Sequence, residues 1–382
     1  MPNVAKVSQV PTVPAGRHIA WFEDSAQDVV DVADLGGKNA SLTTMTAAGL
    51  PVPPGFAISA SAYRTVFAHT GADRELAALM ATVDPDDAAA VAVTGRAARD
   101  VVLGLELPAW LIEPMAEAYA VLGTRSGTTD LPVAVRSSAT CEDQPDASFA
   151  GEHDTYLWVR GAEGPDGVAA HVLRCWSSLF TDRAICYRRT MGYLDSTASM
   201  SVGVQKMVLP RAAGVAFTLN PTNGDRSQVA IDASWGFGEA VVSGSVTPDN
   251  FLVDKVMGQI TSRTISTKTI ELVLDENDRV VEVPVDPARR DVPCLTDDEV
   301  HAVAALARRA ERYYRTPQDV EWALDDQLPP GDNVVLLQSR PETVWSRKVR
   351  PQRSGEHDTF RSIVTTLLDP HRGAGSHGPH AH

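Results

Sequence analysis

The tightest constraint on the fold comes from two runs near the end of the chain, Asp319-Val-Glu-Trp-Ala-Leu324 and Val334-Val-Leu-Leu-Gln-Ser-Arg340, joined by a polar turn. Successive side chains of a strand point to opposite faces. As a hairpin, the runs therefore put Asp319 and Glu321 on one face of the first strand, and Gln338 and Arg340 on one face of the second. Two carboxylates, a carboxamide oxygen and a guanidinium can then converge. Hard oxygen donors suit Mg²⁺, which takes only one or two protein carboxylates beside ligand phosphates, and Arg340 suits a phosphate oxygen. An exposed hairpin face with a surface ion pair fits the same spacing.

Three further clusters carry chemistry less decisively. Leu35-Gly-Gly-Lys38-Asn-Ala-Ser is not a Walker loop, because Asn39 follows Lys38 and the upstream glycine spacing is absent. Gly36 and Gly37 still allow close backbone approach at a helix start, where anions are favoured and Lys38 can reach a phosphate. A helix-entry turn with a solvated lysine is the alternative. Arg136 leaves the end of the apolar strand 132–138, where a charge needs a partner, and a loop of small residues follows through Gly151 to Thr155. A structural pairing with Glu142 or Asp143 would also explain it. In Val202-Gly-Val-Gln205-Lys-Met207-Val208, strand backbone with a neighbouring amide and thioether can hold a purine, or these residues are core.

Between these clusters the pattern is helical, then β-rich, then helical. The Gly-Gly-Lys turn enters a short helix at 39–49, and two or three helical stretches follow to about 122. Strands are expected at 155–159, 202–208, 214–219, 229–233 and 251–254. Thr296-Asp-Asp-Glu299 fits a capping box ahead of a helix over 300–314. Residues 1–17 read as an N-terminal arm and 348–382 as a Gly/His-rich tail. A net charge of −15 argues against a general nucleic-acid or anionic-membrane binder, and leaves room for a local basic pocket. The 4 cysteines form no CxxC pair, so neither a zinc site nor a disulfide framework is expected. With no apolar run long enough to cross a membrane and no signal-like start, a cytoplasmic protein is expected.

Taken in order, the segments GGKNASL at 36–42, VRSSAT at 135–140, SFAG at 148–151, VQKMV at 204–208, GVAFTLNP, WGFGEAVVSG, DVEWAL at 319–324 and LQSRPET at 337–343 resemble one family. It is the N-terminal nucleotide-binding domain of phosphoenolpyruvate synthases and pyruvate phosphate dikinases, and the resemblance spans about 18–345. It implies an α+β, ATP-grasp-like fold in which two lobes, here 18–200 and 201–347, enclose a nucleotide cleft. It also implies ATP and Mg²⁺ as ligands. Carried over by position, Lys38 and Arg136 would hold the phosphates, and Gly151 and Thr155 would line the loop over them. Gln205 and the Met207–Val208 backbone would face adenine. Glu321 and Gln338 would hold Mg²⁺ with Asp319 in support, and Arg340 would hold phosphate. Glu152-His153 stands where the family usually has Gln-Gln.

In this family the β-phosphoryl group of ATP passes to a histidine in a Thr-Ser-His or Thr-Cys-His context on a swivelling domain, leaving AMP and phosphate. None of the 10 histidines lies in such a context. The resemblance therefore implies the ATP-binding subunit of a split dikinase, working with a second subunit that bears the phosphohistidine. The small-molecule acceptor would be a phenol such as phenol or 4-cresol. A split phosphoenolpyruvate synthase, an antibiotic phosphotransferase subunit and a non-catalytic ATP-sensing regulator are the alternatives.

Overall fold

The computed structural model describes residues 18–23, 31–84, 86–140, 155–190 and 198–345. Two antiparallel sheets organise them. The first has five strands in the order β1 (Ile19–Trp21), β2 (Gly55–Ile58), β5 (Met200–Lys206), β3 (Val133–Ala139) and β4 (Thr155–Val159). The second has six, in the order β13 (Val334–Pro341), β12 (Gln318–Asp325), β6 (Pro210–Phe217), β7 (Gln228–Trp235), β8 (Asp249–Asp254) and β9 (Ile260–Thr264). A separate hairpin pairs β10 (Ile270–Leu274) with β11 (Val280–Pro284).

Helices α2 (Ala60–Thr70), α3 (Ala72–Ala81), α4 (Ala88–Leu103), α5 (Ala109–Arg125) and α6 (Val168–Ser177) supply the core beside the first sheet, around Phe56, Leu111, Met115, Trp176 and Val204. Helix α7 (Asp182–Thr190) follows, and the four-residue α8 (Glu239–Val242) packs against β6 and β7. Helix α9 (Asp297–Tyr314) covers the second sheet through Val300, Val303 and Ala307, which meet the inward row Ala216, Ile231, Val320 and Trp322. Its expected start is observed: the Thr296 hydroxyl accepts from the Glu299 amide at 3.3 Å, and a Glu299 carboxylate oxygen accepts from the Thr296 amide at 2.8 Å.

Helix α1 (Val32–Ala47) joins the two halves. Leu35, Leu42 and Met45 lie in the core of the second sheet, while the polar side of the helix meets β3 and β5 of the first. Residues through Glu342 consequently form one compact unit. Of the following unit only 343–345 are described, as a short turn.

Differences from the sequence expectation have local causes. The helix expected at 39–49 starts earlier, because Asp31 caps a first turn that runs up to the kink at Gly36. The strand expected at 202–208 is β5, whose partners β2 and β3 put it in the first sheet, so the chain passes to the second sheet at 207–209. The helices over 168–190 and strands β9 to β11 were not anticipated. The N-terminal arm at 1–17, the tail at 348–382 and the loop through Gly151 lie outside the described residues.

Candidate functional site

Strands β12 and β13 set the register of the site. Asp319 faces Arg340 and Glu321 faces Gln338, each directly across the ladder, so the four side chains share one face as period 2 requires. Just beyond this pair the register slips, with Trp322 opposite Leu336, and Leu337 has no partner residue on β12. Such a bulge frees a backbone group from its ladder and re-aims it. Here the freed Leu337 carbonyl accepts from Arg136 Nη1 at 2.8 Å.

Arg136 reaches this hairpin from β3 of the other sheet. Its Nη2 donates to Gln338 Oε1 at 2.9 Å and lies 3.6 Å from Glu321 Oε2, while Nη1 also donates to Gln205 Oε1 at 3.3 Å. Gln205, buried on β5, is fixed at its other end by Nε2 donating to the Pro53 carbonyl at 3.1 Å. The two residues expected at opposite ends of a nucleotide thus touch each other, and Gln205 orients Arg136. The Met207 amide donates to the Pro132 carbonyl, and Val208 is buried against Ala213, Ala323 and Val335. Thr155 opens β4 opposite Arg136 and is exposed, while Gly151 lies outside the described residues.

The Gly-Gly-Lys turn is locked to the Val-Arg-Ser-Ser strand. Ser138 Oγ donates to the Leu35 carbonyl at 3.0 Å and accepts from the Asn39 amide at 3.2 Å. Asn39 Nδ2 donates to Ser201 Oγ at 2.9 Å, and its Oδ1 sits against Gly203, where any Cβ would come within 2.3 Å. Two residues later Ser41 Oγ donates to the Ser339 carbonyl of β13 at 2.9 Å. Lys38, half-buried, therefore stands on a helix pinned to both sheets. Ser138, Asn39, Ser41 and Ser201 were not singled out from the sequence. Three of them lie inside the quoted segments, and only their pairing over 99 to 298 residues of separation reveals the role.

The donor set fits a hard divalent cation. Glu321 offers a quarter-exposed carboxylate and Gln338 a carboxamide oxygen opposite it, while Asp319 Oδ1 is buried with no hydrogen-bond partner among the described residues. Among the described residues no three His, Cys, Asp or Glu side chains gather into a closed cage, whereas an Mg²⁺ completed by phosphates needs none.

Burial pushes the Asp319 carboxyl up to about 6, Arg340 at 3.6 Å opposing the shift and the carboxylates of Glu342 and Glu321 adding to it. A carboxyl raised on folding binds protons more readily folded than unfolded, so its contribution is favourable at low pH and is lost as pH climbs from about 4 to about 6. Asp319→Asn should abolish that loss, and metal-free protein should gain about 1–3 kcal/mol above pH 6 and nothing at pH 4. Thermal melts in chelator across this range measure it. An equal effect at both pH values would contradict it.

Among the described residues no helix is long and apolar enough to cross a membrane. Residues 32–359 match the model of the pyruvate phosphate dikinase AMP/ATP-binding domain. The chain is 41% identical over 360 residues to a probable phosphoenolpyruvate synthase of Staphylothermus marinus, covering 88% of this chain and 43% of that protein. With a probable phosphoenolpyruvate synthase of Methanothermobacter thermautotrophicus the identity is 42% over 327 residues, covering 86% and 46%. With a rifampicin phosphotransferase of Streptomyces it is 40% over 352 residues, covering 92% and 38%. The chain thus spans less than half the length of these relatives. Its match over most of its own length places it in the pyruvate phosphate dikinase AMP/ATP-binding domain family.

Proposed function

We propose that this chain binds ATP with Mg²⁺ and passes the β-phosphoryl group to a histidine on a second subunit, while water takes the γ-phosphoryl group, so that AMP and phosphate are released. The observation that carries the reading is the convergence of Arg136, Glu321 and Gln338 from two sheets, with Lys38 on the helix that joins those sheets. In this reading Lys38, Arg136 and Arg340 hold the phosphates. Positioned cations of this kind stabilise charge on a transferring phosphoryl group and prepay its orientation. When bound at Glu321 and Gln338, Mg²⁺ neutralises phosphate charge, and Asp319 supports that pair from the same face.

The acceptor proposed first is a phenol, which the reading as the ATP-binding subunit of a split dikinase implies. A second reading, a larger hydroxyl-bearing antibiotic, is favoured by the 40% identity to a rifampicin phosphotransferase. Incubating the chain with β- and γ-labelled ATP, alone and with a phosphohistidine-carrier subunit plus phenol, pyruvate or rifampicin, tests the proposal. Little turnover is expected from the chain alone, and AMP, phosphate and one phosphorylated acceptor with the carrier. Rapid formation of ADP by the chain alone would overturn it.

A further inference from the structure

We propose that Arg136 acts as a stand-in for the metal: in the ligand-free site its guanidinium holds the oxygens that a divalent cation needs, and a polyphosphate must draw it away before the cation can bind. The inference rests on the reading of Glu321 and Gln338 as the metal's protein ligands.

One nitrogen of Arg136, Nη2, donates to Gln338 Oε1 at 2.9 Å and stands 3.6 Å from Glu321 Oε2. The charge that would otherwise need a cation is thereby met by the protein itself. The side chain is 14% exposed and its second terminal nitrogen, Nη1, is tied to Leu337 O and Gln205 Oε1, so the placement is built, not a chance surface pairing. A divalent ion at the same two oxygens would face a fixed like charge within about 4 Å, a repulsion that partial burial strengthens. A guanidinium also binds a phosphate bidentately, a geometry that neither a lone carboxamide oxygen nor a carboxylate at 3.6 Å offers. Phosphate is therefore the partner able to outcompete Gln338 and Glu321.

The consequence is a positive coupling between polyphosphate and metal, and coupling of this kind is reciprocal. Metal alone binds poorly because Arg136 is in its place. Once phosphate takes the guanidinium, Glu321 and Gln338 become available to the cation. Nη1 anchors the exchange, held by Gln205 from the first sheet and by the Leu337 carbonyl from the second, while Nη2 is released from Gln338 and Glu321.

The test measures Mn²⁺ binding to the full chain by electron paramagnetic resonance, with and without tripolyphosphate or a nonhydrolysable ATP analogue, corrected for Mn²⁺ held by the free phosphates. In the wild type, Mn²⁺ alone should bind weakly and either polyphosphate should tighten it in a manner lost in Glu321→Gln. Arg136→Gln should bind Mn²⁺ alone about tenfold more tightly than wild type, whereas Arg136→Lys, which keeps the charge, should not. If Arg136→Gln does not fold, the tripolyphosphate effect on the wild type decides the matter. Tightening of Mn²⁺ by neither Arg136→Gln nor tripolyphosphate, while the ATP analogue still creates a Glu321-dependent site, would overturn the stand-in and leave the metal site standing. Absence of any Glu321-dependent site with the analogue would overturn the metal reading, and the stand-in with it.

Discussion

Alanine at Glu321 lowers affinity for a nonhydrolysable ATP analogue in saturating Mg²⁺ by about 100-fold, and alanine at Gln338 by about tenfold, with no such difference in chelator. The asymmetry follows from charge: Glu321 contributes a full negative charge to a cation that demands near-ideal oxygen geometry, whereas Gln338 contributes a neutral dipole. Outer-shell partners alone are commonly worth 10- to 100-fold in metal affinity, so a direct carboxylate ligand belongs at or above the top of that range. Fold loss does not mimic the effect, because Glu321 is 28% exposed and its neighbours Val320 and Trp322 carry the packing on the opposite face. The two variants should not be additive, since removing Gln338 also releases Arg136 Nη2 onto Glu321. Calorimetric titration with and without Mg²⁺ separates the terms. Unchanged affinity in both variants would remove the metal site from this hairpin.

The hairpin was legible because its signal is local: alternation fixes faces, and a short turn fixes which strands pair. Even so, the bulge at Leu337 was not, since nothing in Val334-Val-Leu-Leu-Gln marks which residue will skip the ladder. The same limit applies to Arg136. A charge at the end of an apolar strand announces that a partner exists, but Glu142 and Asp143, the nearest in sequence, lie outside the described residues, and the described partners, Gln205, Glu321, Leu337 and Gln338, stand up to 202 residues away. Gln205 shows the converse. Its place beside Met207 suggested a base contact, while the bonds its amide makes in the structure are to the Pro53 carbonyl and to Arg136, one at each end, which leaves a second N–H and a second lone pair. The buried pair of Lys268 and Asp249, at 2.6 Å with neither side chain exposed, had no pattern at all, because two charges 19 residues apart acquire meaning only when a loop folds over them.

Gly36→Ala should cost roughly 3–5 kcal/mol, close to the whole stability of a marginal domain, and should abolish nucleotide binding in whatever protein survives. Two effects add at this position. The backbone sits at φ 67° and ψ 166°, a region essentially closed to residues with a Cβ and worth about 1–3 kcal/mol of strain. An added Cβ would also stand 2.2 Å from the Ser138 carbonyl oxygen and 2.4 Å from its Oγ, overpacking of a kind that typically costs about 1–3 kcal/mol more. Relief is blocked because Ser138 lies within β3, paired with Ser201 of β5, so the strand cannot retreat without breaking the first sheet. The helix would have to move instead, carrying Lys38 and Asn39 out of place. Gly71→Ala provides the control: φ is also positive, at 79°, but nothing lies within 4 Å of the new Cβ, so only about 1 kcal/mol should be lost. Combining Gly36→Ala with Ser138→Ala clears the hydroxyl and leaves the carbonyl, so it should recover only a minor share. Urea midpoints of the four proteins decide the question. If Gly36→Ala falls no further than Gly71→Ala, the turn adapts and the lock between helix α1 and strand β3 is not what positions Lys38.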